Sequence, residues 1–367
     1  MKFLLTISIS CCLILSGGSL AQARKKQGPA PQKLVCFALP KNKQSKRAAA
    51  LLNQRLRESC KQASKYIYVN PRDKFLAGEP DIRLRKLARA QQYASAGQDH
   101  VDMMEMEAGL AKYVKARELF REAAGRLGDG NEYIQTLFQF GATHILSGHA
   151  DLGQAFFQEA AGYNPRIKPD PKRYTPAMIE VFERACVFAK GQPLCSGLIK
   201  SVPSAAEVYL NADFQGISPI TLKKVPEGDQ FLRVEKDGYL HWGRIAQFWA
   251  TNEELFNAEM PKTTSLPGLK KRQKNIFEDM DDDPPPFPIV KLAEWFDAKR
   301  MVLMQVEQEG NDIRLRYLLI QTGPREKLHL SGKSFKLNPD RLLTLNSLVF
   351  RENLDMYLKE MRKKLLH

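Results

Sequence analysis

The side chains that could catalyse a reaction or hold a metal are few and scattered along this chain. The six histidines share no spacing typical of metal ligands. They are His100, His144, His149, His241, His329 and His367. No glycine-rich phosphate loop, nucleophile elbow or His-Glu-x-x-His motif is present. We therefore predict no catalytic residue, no cofactor and no metal, and an enzyme with an unrecognised site stays open as an alternative.

Aromatic side chains are the best candidates for a binding site. Several fall within eleven residues of one another: Tyr239, His241, Trp242, Phe248 and Trp249. Aromatic rings with a polar edge stack on sugars and on protein partners. We therefore predict that Tyr239, Trp242 and Trp249 bind a ligand. The alternative is that these rings fill the core of a very small domain.

The elements around these aromatic residues are short strands. Between Ser201 and Arg244, apolar and polar residues alternate in four runs that turn residues separate. The runs are Glu207–Asn211, Ile220–Lys223, Gln230–Glu235 and Leu240–Ile245. Such alternation predicts antiparallel strands with one buried face. The segment has the size of a very small β-sandwich.

This segment resembles the PEGA domain. The matching residues are Val208-Tyr209-Leu210-Asn211, Gly216, Ser218-Pro219, Leu222, Pro226-Glu227-Gly228, Leu232-Arg233-Val234 and Gly238-Tyr239. The first turn departs from the family's usual Asp-Gly, because the chain has Asn211-Ala212-Asp213 there. The resemblance implies a surface or envelope binding module over residues 199–260, and it names no ligand.

Residues 81–190 have helical periodicity throughout and are predicted to form helical hairpins. Ala116–Ala124 and Gly153–Ala161 are similar segments, 37 residues apart. The second copy resembles a tetratricopeptide repeat, whose positions it matches at Gly141, Gly148, Phe157, Ala160 and Pro165. We expect the hairpins to stack and to hold a protein partner in a groove at Phe140 and Phe156. An unrelated helical bundle is the alternative.

The two ends of the chain carry the remaining elements. Residues 34–75 are predicted as β-α-β and residues 289–367 as α-β-β-(β)-α, with a charged, proline-rich linker at 261–288. The two end segments could form one domain, which faintly resembles the amino-terminal domain of the Tol-system propeller protein. The predicted fold class is α+β multidomain, with tetratricopeptide-like helical hairpins, a small antiparallel β-sandwich and an α/β region formed by the chain ends.

The amino terminus predicts export. Lys2 precedes an apolar run from Phe3 to Leu15, and Ala21-Gln22-Ala23 supplies the small residues that a signal peptidase recognises. We predict a signal peptide at 1–23, a basic disordered tail at 24–33 and no transmembrane segment in the mature chain, since a span takes about 20 apolar residues. The expected location is the periplasm or cell envelope of a Gram-negative bacterium.

Four cysteines follow the predicted signal peptide. An even count in an oxidising compartment permits two disulfides. We favour the pairings Cys36–Cys60 and Cys186–Cys195, and free buried thiols stay open as the alternative.

The chain carries a formal net charge of +15. An exported protein rarely meets nucleic acid, so we expect an envelope protein or a cell-wall polymer as partner and no nucleic acid. A solvated basic surface is the alternative explanation of the charge, and the oligomeric state stays open.

The favoured hypothesis is an exported, non-enzymatic adaptor. The alternatives are a peptidoglycan- or glycan-binding envelope protein and an enzyme.

Overall fold

The structure is a computed structural model that describes residues 32–61, 66–251, 254–265, 287–310, 312–321 and 327–331. The predicted signal peptide, most of the basic tail, most of the linker and the final predicted helix lie outside these residues. Three regions can be distinguished: an end region built from both ends of the described chain, a helical region at 81–191, and a β region at 194–265.

The end region contains a five-stranded sheet to which both ends of the described chain contribute. Its elements are β1 (Gln32–Pro40), α1 (Lys46–Lys61), β2 (Tyr66–Val69), α2 (Pro71–Leu76), α8 (Phe287–Trp295), β10 (Arg300–Glu309), β11 (Asp312–Gln321) and β12 (Lys327–Ser331). The strand order is β12-β11-β10-β1-β2. β1 is parallel to both neighbours, with Phe37 opposite Leu303, and the other pairs are antiparallel.

Both faces of β1 are buried, as expected for a central strand that runs parallel to its neighbours. On one face Phe37 packs on Phe296, with 4.7 Å between the ring centroids. On the other face α1 covers the strand, and Leu52 is buried there. A disulfide between Cys36 and Cys60 joins β1 to the last turn of α1.

The helical region consists of five helices joined mostly by short turns. They are α3 (Ile82–Asp102), α4 (Met106–Glu122), α5 (Asn131–Leu146), α6 (Ala150–Tyr163) and α7 (Pro176–Lys190), with a 3-10 turn at Ala124–Arg126. Side-chain caps begin two of them: Asp81 accepts from the Arg83 N–H, and Thr175 accepts from the Met178 N–H. α3 pairs with α4, and α5 pairs with α6, as two helical hairpins.

Glycines set the closest approach within each hairpin. A Cβ atom added to Gly97 would lie 2.8 Å from the Tyr113 ring, and one added to Gly141 would lie 2.6 Å from the Phe157 ring. Each ring therefore occupies the space that a side chain on the facing helix would need. Gly97 and Gly141 are 44 residues apart in the chain, and so are Tyr113 and Phe157.

A second pair of glycines has the same offset. A Cβ atom on Gly109 would lie 3.1 Å from the Gly97 carbonyl oxygen, and one on Gly153 would lie 2.7 Å from the Gly141 carbonyl oxygen. The two hairpins are therefore equivalent at an offset of 44. The predicted 37-residue offset is wrong as a structural register, because it aligns Gly153 with Ala116 instead of Gly109.

The β region has two sheets. Its strands are β3 (Leu194–Val202), β4 (Glu207–Leu210), β5 (Asp213–Ile217), β6 (Ile220–Pro226), β7 (Gly228–Glu235), β8 (Trp242–Phe248) and β9 (Glu254–Glu259). The orders are β6-β3-β9 and β5-β4-β7-β8. Alternate side chains from both sheets, such as Ile199, Val208 and Leu232, are buried in one core. The region extends past its predicted end at 260, because Lys262 pairs with Tyr239 and the Thr263 hydroxyl donates to the Gly238 carbonyl.

The second predicted disulfide does not form in the structure. Cys186 and Cys195 are separate buried thiols. Cys186 faces the core of the helical region, whereas Cys195 faces the core between the two β sheets. The two side chains therefore belong to different cores, although few residues separate them in the chain.

Candidate functional site

A cluster of buried ionic groups joins the end region to the β region. Arg72 on α2 lies 2.7 Å from Glu207 through Nη2 and 2.8 Å from Asp237 through Nε, and it also pairs with Glu235. Arg57 on α1 pairs with Glu207 and lies 3.3 Å from Asp237. All but the half-buried Asp237 are buried. Two arginines of the end region therefore hold three carboxylates of the β region.

The cluster is electrostatically balanced. Burial by itself would raise the pKa of Glu235 and of Asp237, but Arg72 and the other positive groups of the cluster together outweigh it and hold both pKa values below their ordinary range. Arg233 adds a third guanidinium beside Glu235. The sequence carried no signal for this cluster, because its members lie in separate elements and charged residues are usually exposed.

A cavity of about 240 Å³ lies beside the ionic cluster. α1, the end of β1, the loop after β3 and the turn after β7 form its walls. Lys236, from that turn, donates two hydrogen bonds from Nζ, to the carbonyl oxygens of Ser204 (3.0 Å) and Ala205 (2.6 Å).

A larger cleft, of about 310 Å³, lies where the helical and β regions meet. It is lined by Gln158, Glu159, Gly162, Phe188, Ala189, Gln192, Pro226, Glu227, Gly228, Asp229 and Gln230. The turn Pro226-Glu227-Gly228, which carries part of the sequence resemblance, forms one wall. α6 and the end of α7 form the other.

One exposed aromatic side chain, Phe188, lines this cleft, and other exposed apolar side chains lie near it in the chain. Trp249 is 45 % exposed and Phe188 is 52 % exposed, and Val187 and Leu194 are exposed beside Phe188 in the chain. Trp249 lies near the turn, since the next residue, Ala250, donates its N–H to Glu227. Exposed apolar side chains grouped beside a cleft, rather than scattered singly, are typical of a binding site.

The floor of the cleft is a satisfied polar network. Arg121 lies 2.8 Å from Asp229 and Arg117 lies 2.9 Å from Glu159. The hydroxyl of Tyr133 donates to Glu159 over 2.9 Å. These contacts fix α4, α5 and α6 to the start of β7, so the two walls of the cleft are held together.

The structure separates the aromatic residues that the sequence placed in one binding site. Tyr239 and Phe248 are buried, and Trp242 packs partly buried against the same core. The His241 side chain is also largely shielded from solvent, and its Nδ1 atom lies 3.5 Å from Glu235. Trp249 alone of the three predicted ligand contacts is exposed, because it follows the last residue of β8.

Phe140 and Phe156, which were predicted to contact a partner in a helical groove, are also largely shielded from solvent. Phe140 is only 3 % exposed and packs on Phe156, with 4.0 Å between the ring centroids. Phe156 is half-buried and stacks on His144, whose ring also lies near His149. Phe140 therefore belongs to the hairpin core and not to an open groove.

The turns of the two hairpins expose apolar side chains instead. Met103 and Met104 lie in the turn after α3, where Met104 is 80 % exposed. Leu146 and Leu152 flank the turn after α5 and are also exposed. Because successive helices are antiparallel, both turns lie at one end of the helical region. Exposed carboxylates surround them: Asp99, Asp102, Glu105, Glu107 and Asp151.

No group of three or more His, Cys, Asp or Glu side chains in the described part of the chain could hold a metal ion. None of the helices described is both long and apolar enough to cross a membrane.

Comparison with known proteins agrees with one part of this architecture. No curated protein and no solved structure matches the chain. A family model, that of the PEGA domain, matches residues 197–263, which run from β3 to the pairing partner of Tyr239 and one residue beyond. Such a match suggests a binding or envelope-associated role. Residues 197–263 are thus similar to the PEGA domain, and the Pro226-Glu227-Gly228 turn beside the cleft lies inside the match.

Proposed function

We propose that this chain is an exported, non-enzymatic adaptor. Its helical region, with tetratricopeptide-like hairpins, binds an envelope protein, and its PEGA-like region binds an envelope component. Export is supported by the signal-like amino-terminal sequence and by the Cys36–Cys60 disulfide, since such bonds persist in oxidising compartments. We assign the protein to the periplasm or cell envelope of a Gram-negative bacterium.

The main support for the adaptor proposal comes from the exposed side chains at the hairpin turns. Four large apolar side chains, Met103, Met104, Leu146 and Leu152, are exposed at one end of the helical region. Methionine adapts its shape to a partner, and an apolar patch with a charged rim is typical of a protein interaction site. The buried Phe140 argues against the groove as the contact, so the adaptor binds its partner through the turns.

Site-specific photocrosslinking in the native host tests this proposal. A photoreactive residue at Met104 or Leu152 should give a discrete protein adduct. The same residue at Arg184, which is exposed on α7, is the matched control and should give none. Absence of adducts from both turn positions, or equal adducts from the control, would contradict the adaptor function.

A second candidate function is binding of peptidoglycan or another glycan. The observation in its favour is the cleft beside the Pro226-Glu227-Gly228 turn, where Trp249 and Phe188 are exposed next to amide and carboxylate side chains. Rings in this arrangement can stack on a sugar, while amide groups donate to its hydroxyls and carboxylates accept from them.

Co-sedimentation with purified peptidoglycan tests the second candidate. Trp249→Ala and Phe188→Ala should each reduce the bound fraction, whereas Leu255→Ala, which alters an exposed residue on β9, should not. If the chain does not sediment, or if the three variants behave alike, the glycan function is refuted. The adaptor proposal is unaffected, because it depends on the hairpin turns.

A further inference from the structure

The cavity between α1 and the β region has an apolar body. Most of its lining is aliphatic or aromatic: Ala38, Leu39, Pro40, Ala49, Ala50, Pro203, Ala205 and Tyr239. Its volume of about 240 Å³ would hold a small organic molecule rather than a polymer. The charged lining consists of Lys46, Lys236 and the three carboxylates of the ionic cluster.

The carboxylates of the cavity already have partners. Glu207 pairs with Arg57 and Arg72, Glu235 with Arg72 and Arg233, and Asp237 with Arg57 and Arg72. Three carboxylates thus face three guanidinium groups. The charges that remain at the cavity are those of the two lysines.

Neither lysine takes part in the ion pairs of the described residues around the cavity. Lys236 donates two of its three N–H groups to the carbonyl oxygens of Ser204 and Ala205, which leaves one donor. Lys46 is the first residue of α1 and its side chain is exposed at the cavity. The cavity therefore combines aliphatic walls with two ammonium groups that no carboxylate neutralises.

We propose that this cavity binds a small organic anion with an apolar body. The ammonium groups of Lys46 and Lys236 bind its carboxylate or phosphate, and its apolar atoms pack against Leu39, Ala49 and Pro203. The bound molecule contacts both α1 and the loop after β3, so it stabilises the junction between the end region and the β region.

The pKa of Lys236 predicts how anion binding should depend on pH. Burial lowers the pKa of Lys236 to about 8, and the nearby Asp237 and Glu207 offset this only in part. An anion beside the ammonium would raise that pKa. Binding above pH 8 should therefore be accompanied by uptake of a proton.

Isothermal titration of the full chain with three probes tests the site. Hexanoate carries a carboxylate, phenyl phosphate carries a phosphate, and hexylammonium has the apolar body of hexanoate with the opposite charge. We expect one saturable site for at least one anion and none for hexylammonium. The anion that binds more tightly identifies the headgroup. Titrations at pH 8.5 in two buffers of different ionisation enthalpy should show proton uptake.

Two lysine variants and a control locate the site. Lys46→Gln and Lys236→Gln should each weaken anion binding at least about tenfold, as expected when a hydrogen bond to a charged group is lost. Lys223→Gln, which removes an exposed lysine on β6, should leave it unchanged. Lys46 is exposed, so its variant should fold even if loss of Lys236 disturbs the loop at Ser204. Failure of both anions to bind, equal binding of hexylammonium, or undiminished binding by Lys46→Gln would overturn the proposal.

Discussion

The Nε atom of Arg72 lies 2.8 Å from Oδ1 of Asp237, and this contact joins α2 to the turn after β7. The same guanidinium also pairs with Glu207 and Glu235. One side chain of the end region therefore pairs with three carboxylates of a region that begins more than a hundred residues later in the chain. The two regions are thus held by buried ionic groups as well as by apolar packing.

Replacing Arg72 should be strongly destabilising. Arg72→Ala leaves buried carboxylates without their main counter-charge, so we expect the free energy of unfolding to fall by about 3–5 kcal/mol. Arg184→Ala is the matched control, because Arg184 forms an exposed pair with Glu180 and should change stability by less than about 0.5 kcal/mol. Urea unfolding followed by circular dichroism measures both. Similar effects of the two substitutions would mean that the cluster does not hold the regions together.

The disulfide pattern can be checked directly. Cys36–Cys60 closes a loop with a sequence separation of 24 residues, and its reduction should lower the free energy of unfolding by about 3 kcal/mol. Mass spectrometry of unreduced peptides should find Cys36 linked to Cys60, and Cys186 and Cys195 as thiols. Cys186→Ala, as control, should not change the sensitivity to reductant. A Cys186–Cys195 peptide would contradict the fold of both regions.

The glycines of the hairpins make a further prediction. Alanine normally favours a helix over glycine by about 1 kcal/mol, but a methyl group at Gly141 would meet the Phe157 ring at 2.6 Å. We expect Gly141→Ala to destabilise the chain by about 1–3 kcal/mol through overpacking. At Gly162 of α6 a Cβ atom would meet nothing within 4 Å, so Gly162→Ala should be neutral or stabilising. Thermal unfolding of both variants measures the difference, and opposite signs are the expected result.

The turn between β4 and β5 is built from residues in an unfavourable conformation. Asn211 and Ala212 have φ of 48° and 73°, and alanine tolerates this left-handed region poorly. We expect Ala212→Gly to raise the free energy of unfolding by about 1 kcal/mol. Asn211→Gly should lower it instead, since the Asn211 side chain accepts from the Phe231 N–H (2.8 Å) and donates to Gln230 (2.6 Å). Chemical denaturation of both variants decides this, and a destabilising Ala212→Gly would contradict the turn geometry.

Local patterns anticipated much of the secondary structure, and contacts between distant elements explain what they missed. Alternation over Glu207–Asn211 and Gln230–Glu235 corresponds to β4 and β7, because alternate residues of both strands, such as Val208 and Leu232, are buried in the core of the β region. The predicted offset of 37 residues was wrong because it rested on similar residue types in two single helices, α4 and α6, and not on the contacts between the paired helices of each hairpin. The correct signal was in the sequence: Gly97-x-x-His100-Val101 and Gly141-x-x-His144-Ile145 have the same pattern, 44 residues apart.

The candidate sites were harder to predict than the strands. Phe248 is buried because its position in β8 points into the core, and Tyr239, which is bridged to Lys262, is buried in the same core; composition alone shows neither. Arg57 and Arg72 look like ordinary surface arginines until the fold brings Glu207 to them. Phe188 gave no signal because it lies in the last turn of α7, where the sequence alone does not show that its side chain is exposed. Trp249 was found because it belongs to the cluster of aromatic residues between 239 and 249.

His241 should make stability depend on pH between neutral and mildly acid conditions. Its Nε2 atom is buried without a hydrogen-bond partner among the described residues, and burial lowers its pKa from 6.5 to about 4 despite the nearby Glu235. Since the folded pKa lies below the unfolded value, the unfolded chain binds more protons between these pH values. Stability should therefore fall as the pH falls through this window, by about 2 kcal/mol from pH 6.5 to pH 5.

Glu235 and Asp237 also have lowered pKa values, but their ordinary pKa values of 4.5 and 3.8 confine their effect to more acidic pH. Burial also lowers the pKa of His144, so both His241 and His144 reduce stability between pH 6.5 and pH 5. His241→Phe, which keeps an aromatic ring but cannot be protonated, should make the profile in this window less steep. His149→Phe, in an exposed turn, should retain the slope of the unsubstituted protein. Urea unfolding at pH 6.5, 5.75 and 5 measures the profile, and equal slopes in all three proteins would show that His241 is protonated in the folded chain as readily as in the unfolded one.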